Sequence, residues 1–172
     1  IRMGIQQIGS SFEPIPHIRG FGKERDSDTY NRKFIEGVKL LNRNNISWGM
    51  IYVVHRLSLK SPLDIFYFLT NLNPKSHPNF NQVKLYKDDR HNLEITGEEY
   101  AEFLGAIFPV WLRNRDRYPN VQPFADLYNI IKNGNMTLVC EASGNCTYRW
   151  IYIGPEGETS HCGRTGDYSV LS

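Results

Sequence analysis

The chain has little of what most readily declares a protein's role. No apolar stretch among its 172 residues reaches spanning length, and the longest, Phe103 to Leu112, is broken by Pro109. The formal charge is only +2, with 20 Lys and Arg against 18 Asp and Glu. The basic residues are scattered, which argues against a nucleic-acid surface. No signal-peptide pattern opens the sequence and no internal repeat suggests a solenoid. Neither a nucleic acid nor a membrane is therefore an expected partner. There are three cysteines. An odd count argues against a closed disulfide framework and favours a reducing compartment, here the cytoplasm. The first residue is not methionine and the last, Ser172, comes soon after the final cysteine, so a fragment or processed piece is expected.

The remaining composition is ordinary for a globular protein, and hydrophobic periodicity carries the signal. Residues 2–8 alternate loosely and predict a strand, followed by a long loop from Gly9 to Thr29. A helix is expected from Tyr30 to Asn42, with Tyr30, Phe34, Val38 and Leu41 on one face. Ile46 to Val54 is β-branched and aromatic enough for a buried strand. Ser61-Pro62-Leu63-Asp64 opens a second helix with Pro in its first turn and a carboxylate near its positive end. Val83 to Tyr86 reads as a third strand. Thr96 and Glu99 form a capping box ahead of a helix that Pro109 should kink near its end, and a shorter helix spans Phe124 to Lys132, closed by Gly134. Strand–helix alternation to about residue 90 argues for parallel strands with crossover helices, part of an α/β layer or barrel. The alternation stops near Leu93, giving two expected segments, 1–93 and 94–172.

The cysteines crowd the second segment. Five residues separate Cys140 from Cys146 and fifteen separate Cys146 from Cys162. Between the last two lie an aromatic strand, Tyr148 to Ile153, and a Gly154-Pro155-Glu156-Gly157 turn. A turn of this kind folds the strand back and brings thiolates before and after it to the same end. Three converging soft ligands suit zinc or an iron–sulfur cluster; the alternative is three ordinary buried thiols.

The spacing Cys146, ten residues, Gly157, four residues, Cys162 resembles the opening of the SPASM motif, the C-terminal extension of many radical S-adenosylmethionine enzymes. The order of other pieces is similar to the same family. Gly4-Ile-Gln-Gln-Ile-Gly9 resembles a barrel strand and turn, His17-Ile-Arg-Gly20 the following loop, and Phe34 to Leu41 the next helix. Leu93 to Leu104 is similar to the helix that bridges barrel and extension in the sulfatase-maturase-like, peptide-modifying branch. The resemblance implies the second half of a TIM-like partial barrel with helices outside, a helical bridge and a cysteine-bearing hairpin. It implies an oxidoreductase that matures a peptide or protein substrate, with an electron donor and the remainder of a parent enzyme as partners. The family's Cys-x-x-x-Cys-x-x-Cys loop is missing from this sequence, so the chain alone is not expected to generate a radical.

By the same resemblance, Cys140, Cys146 and Cys162 are ligands of an auxiliary [4Fe–4S] cluster, which wants a fourth ligand from elsewhere. Arg19 matches an arginine that meets the carboxylate of S-adenosylmethionine, a pairing suited to a guanidinium fork. Gln6 stands where a serine commonly serves that cofactor. His55, at the C-terminal end of a buried strand, stands near it too, where relatives often carry Asn; a structural histidine is the plainer reading. Gly163 follows Cys162 where formylglycine-forming sulfatase maturases carry the aspartate that acts as base. A glycine cannot accept a proton, which argues against sulfatase maturation. The rival from another class is a non-catalytic zinc or iron–sulfur interaction module using the same thiolates with a histidine such as His161.

Overall fold

Three parallel strands lie side by side in chain order in the computed structural model: β1 (Gln7–Ser11), β2 (Ser47–Val54) and β3 (His77–Gln82). The structure describes residues 7–20, 22, 26–72, 77–84, 89, 92–134, 151–153 and 156–160. The register sets Gly9 beside Gly49, Ser11 beside Ile51, and Ile51 beside Asn79. Gln122 extends the order past β3 by a parallel bridge to Asn79, with Phe80 N–H donating to the Gln122 carbonyl at 3.1 Å and Gln122 N–H to the Pro78 carbonyl at 2.8 Å.

Parallel strands need crossovers, and helices α1 (Ser27–Arg43) and α2 (Pro62–Leu72) supply them. Asp26 caps α1 by accepting the Thr29 N–H at 3.0 Å. Pro62 opens α2, whose buried residues are Ile65, Phe66, Leu69 and Thr70. Helix α3 (Gly97–Arg113) starts at the Thr96–Glu99 capping box. Glu99 N–H donates to Thr96 Oγ1 at 3.2 Å and Thr96 N–H to Glu99 Oε2 at 2.8 Å. Helix α4 (Phe124–Asn133) ends at Gly134, whose φ of +65° is cheap only for glycine and whose N–H reaches the Ile130 carbonyl at 2.9 Å.

The helices meet the sheet on one face. In β2 the alternate residues Trp48, Met50, Tyr52 and Val54 are buried, whereas Ile51 between them is 40% exposed. Phe12, just past β1, stacks on Phe34 of α1 with centroids 3.8 Å apart and meets Phe68 of α2 at 6.0 Å. Phe80 of β3 packs between Tyr52 and Phe103 of α3, at 6.0 and 5.8 Å. Burying each such side chain contributes roughly 1.5–3 kcal/mol. On the opposite face Gly9, Ser11, Gly49, Ile51, Asn79 and Gln122 line a cavity of about 600 Å³.

The mixed α/β class with parallel strands agrees with the sequence reading; several boundaries do not. The first strand occupies Gln7–Ser11 where 2–8 was expected, and residues 1–6 lie outside the described ones. Gly9, Ser10 and Ser11 look like loop by composition, but their backbone pairs with β2 and all three line the cavity, where small residues suffice. The third strand is His77–Gln82, ahead of the expected Val83–Tyr86. Its polar sequence is held extended by pairing on both sides, which overrides propensity. Helix α3 runs on through Pro109 to Arg113. The chain divides into two compact units, Ile1–Ala125 and Asp126–Ser172, and α3 packs within the first through Phe103. In the second unit, β4 (Tyr152–Ile153) pairs antiparallel with β5 (Thr159–Ser160).

Thr96→Ala should lower stability by about 1 kcal/mol in denaturant unfolding, the usual cost of a lost N-cap. The Thr96 N–H holds the Glu99 carboxyl below its usual 4.5, with Arg56 contributing. A depressed folded value means the stabilisation is present above the unfolded value and lost as pH falls through the folded one. Unfolding across acidic pH should therefore show a loss below about 4.5 in the wild type that is reduced in Glu99→Gln.

Candidate functional site

Parallel sheets present their ligand sites at the carboxyl ends of the strands, and at that end β1 and β2 each deliver an ionisable residue. Phe12 N–H donates to the Ile51 carbonyl at 3.1 Å, carrying the pairing one step past β1. Glu13 follows it, and His55 follows β2. Both are removed from solvent, at 3% and 2% exposure. Glu13 Oε2 lies 3.0 Å from His55 Nε2, while Glu13 Oε1 accepts the Ile15 N–H at 3.0 Å. An ionised carboxylate only accepts, so His55 presents Nε2–H to it. His55 Nδ1 is buried and has no hydrogen-bond partner among the described residues.

Two hydroxyls complete the cluster. Ser58 Oγ, in the 3₁₀ helix Arg56–Lys60, accepts the His55 backbone N–H at 3.1 Å and lies 2.9 Å from the Tyr52 hydroxyl. Burial, and next the negative charge of Glu13, push the Tyr52 hydroxyl far above its usual value, so it remains neutral. A carboxylate that grips one ring nitrogen is how proteins fix an imidazole's tautomer and orientation, whether for chemistry or for architecture.

Arg19 sits exposed on the loop between β1 and α1. Helix α1 fastens the described part of that loop. Ser27 Oγ accepts the His17 N–H and donates to the Arg19 carbonyl, both at 2.9 Å. Asn31 Nδ2 donates to the Pro14 carbonyl at 3.4 Å and the Tyr30 hydroxyl to the Ser11 carbonyl at 3.3 Å. His17 takes φ +66°, a left-handed conformation that costs a non-glycine residue about 1–3 kcal/mol and needs such support.

The exposed guanidinium of Arg19 is available to a carboxylate. His55 is less open: its ring is engaged through Nε2 and lies under the surface, which fits support of a neighbouring segment better than direct contact with a ligand. Gln6, Cys140, Cys146 and Cys162 lie outside the described residues. Part of the frame around the last two cysteines is described. Tyr152 pairs with Ser160 and Ile153 with Thr159, and Gly157 between them has φ +85°. Among the described residues no group of three or more His, Cys, Asp or Glu side chains is arranged to hold a metal ion.

Sequence reasoning singled out His55 and Arg19 but missed Glu13, Tyr52 and Ser58. Glu13 had a faint signal, an acidic residue between Phe12 and Pro14 in an otherwise loop-like stretch. Its partner becomes legible only from the parallel pairing, which runs the residues past Ser11 alongside the last residues of β2.

Comparison with protein-family models, curated proteins and solved structures gives no match.

Removing one partner of this buried hydrogen bond leaves the other unsatisfied, at a cost of about 1–3 kcal/mol. Glu13→Ala and His55→Ala should each destabilise in that range, and the double variant should cost clearly less than their sum. Additive losses in a denaturant double-mutant cycle would show the two side chains to be uncoupled.

Proposed function

We propose that the chain is part of a radical S-adenosylmethionine oxidoreductase with a SPASM-type extension, acting on a peptide or protein substrate. The observation that carries this reading is the β4–β5 hairpin within the Cys146–Gly157–Cys162 spacing, with Gly157 at the left-handed φ that makes glycine the suited residue at that point of the motif. The first unit supports it independently. Its strands run parallel in chain order, all three sheet-packing helices lie on one face, and Gln122 continues the order, as in a half TIM-like barrel whose open face is the interior.

Within this reading the residues take distinct tasks. Arg19 pairs with the carboxylate of S-adenosylmethionine from a loop already held by Ser27, so little ordering entropy is lost on binding. Gln6 adds a hydrogen bond to the same cofactor. His55 contributes through the segment it supports. Cys140, Cys146 and Cys162 hold the auxiliary [4Fe–4S] cluster as thiolates, with the fourth ligand from elsewhere. When bound, the cofactor would supply one-electron chemistry toward the substrate. The protein's part is to orient and to exclude water.

Anaerobic reconstitution of the full chain with iron and sulfide should give a brown protein with broad visible absorption. Cys146→Ala should lose most of the bound iron. A colourless protein that retains zinc would replace this reading with the non-catalytic metal module, and equal iron in Cys146→Ala would contradict both.

A further inference from the structure

We propose that Glu13 is the positioning residue of the strand-end site. Its carboxylate sets the course of the β1–α1 loop and the tautomer of His55, and through the loop it governs how Arg19 meets a carboxylate-bearing ligand. The clause about Arg19 rests on the function proposed above; the clamp itself does not.

The two oxygens of Glu13 serve different parts of the chain. Oε1 holds the Ile15 N–H of its own loop, and Oε2 holds His55, which β2 and the Ser58 hydroxyl fix in turn. The loop is thus anchored at its start to the end of the neighbouring strand. Farther along, Ser27 anchors it to α1 on either side of Ile18, at the His17 N–H and the Arg19 carbonyl. The second anchor holds Arg19 at its own carbonyl and leaves the residue exposed, while the anchoring side chains of Glu13 and Ser27 are buried. A buried charge at one end of a loop that carries an exposed cation at the other is costly as mere filling. It is economical as a device for holding a ligand-facing segment in one conformation.

The chemistry of the clamp gives it a signature. Glutamine has the shape of glutamate but offers one acceptor and one donor. In Glu13→Gln the acceptor can keep the Ile15 N–H, which turns the amide N–H₂ toward His55 Nε2. Two donors then face each other unless the ring moves its proton to Nδ1. Nδ1 has no partner among the described residues to resist that move. The substitution should therefore flip the His55 tautomer from Nε2–H to Nδ1–H while the fold persists. In Glu13→Ala both arms are lost and the loop loosens.

The test uses the full chain and three readouts. Nitrogen-15 spectra should report Nε2–H for His55 in the wild type and Nδ1–H in Glu13→Gln. Exchange of the Ile15 amide should rise at least about tenfold in Glu13→Ala, the equivalent of one lost charge-assisted hydrogen bond. Affinity for S-adenosylhomocysteine, a non-reactive analogue with the same carboxylate, should fall about tenfold in Glu13→Ala, with no further loss when Glu13→Ala is added to Arg19→Ala. An unchanged tautomer in Glu13→Gln, or wild-type exchange at Ile15 in Glu13→Ala, overturns the clamp. Both spectroscopic effects in the variants, with a wild-type chain that binds no S-adenosylhomocysteine, would support the clamp and overturn the clause about Arg19 together with the proposed function.

Discussion

A carboxylate taken out of water must find donors for its oxygens, and the strand-end site is organised around that demand. Glu13 meets it with one backbone N–H from its own loop and one imidazole N–H from the end of the next strand. Both partners are available because β1 and β2 run parallel in a register that leaves the residues past Ser11 beside those past Ile51. The surrounding contacts follow. Phe12 turns into the aromatic layer against Phe34 and Phe68, Glu13 turns toward His55, and the chain leaves through a loop fastened by Ser27, Tyr30 and Asn31.

What could be read from the sequence divides along a physical line. Features written in local chemistry were legible: the Thr96–Glu99 box, the Pro62 start of α2, the Gly134 stop of α4 and the β-branched run of β2. Each depends on residues within one turn or one strand of each other. Features that depend on pairing at a distance were not. His77–Gln82 is polar and begins with His-Pro, and it is a strand because Val54, Tyr52 and Gln122 bracket it. Gly9 and Ser11 carry loop composition on a face that needs no apolar side chain. Glu13 illustrates the same limit at the site, since nothing within ten residues of it names His55 as its partner.

The two faces of the sheet connect fold to function. One is closed by Phe34, Phe68 and Phe103 and supplies stability; the other is lined by Gly9, Gly49, Asn79 and Gln122 and stays open. A sheet wound in one direction with its helices all on one side leaves this asymmetry, and in the proposed barrel the open face looks inward. The strand-end site then lies at the mouth of that interior, with Arg19 on the loop beside it. The hairpin of the second unit belongs to the cluster half of the proposal, and Gly157 links its described strands to the cysteine spacing.

The buried Glu13–His55 pair is the point on which this account turns. Treating the native chain with an imidazole-modifying acylating reagent, followed by mass-spectrometric mapping, compares His55 with exposed His17 directly. Rapid modification of His17 with His55 protected until the protein unfolds is the predicted result. Modification of both at the same rate in the folded chain would contradict it.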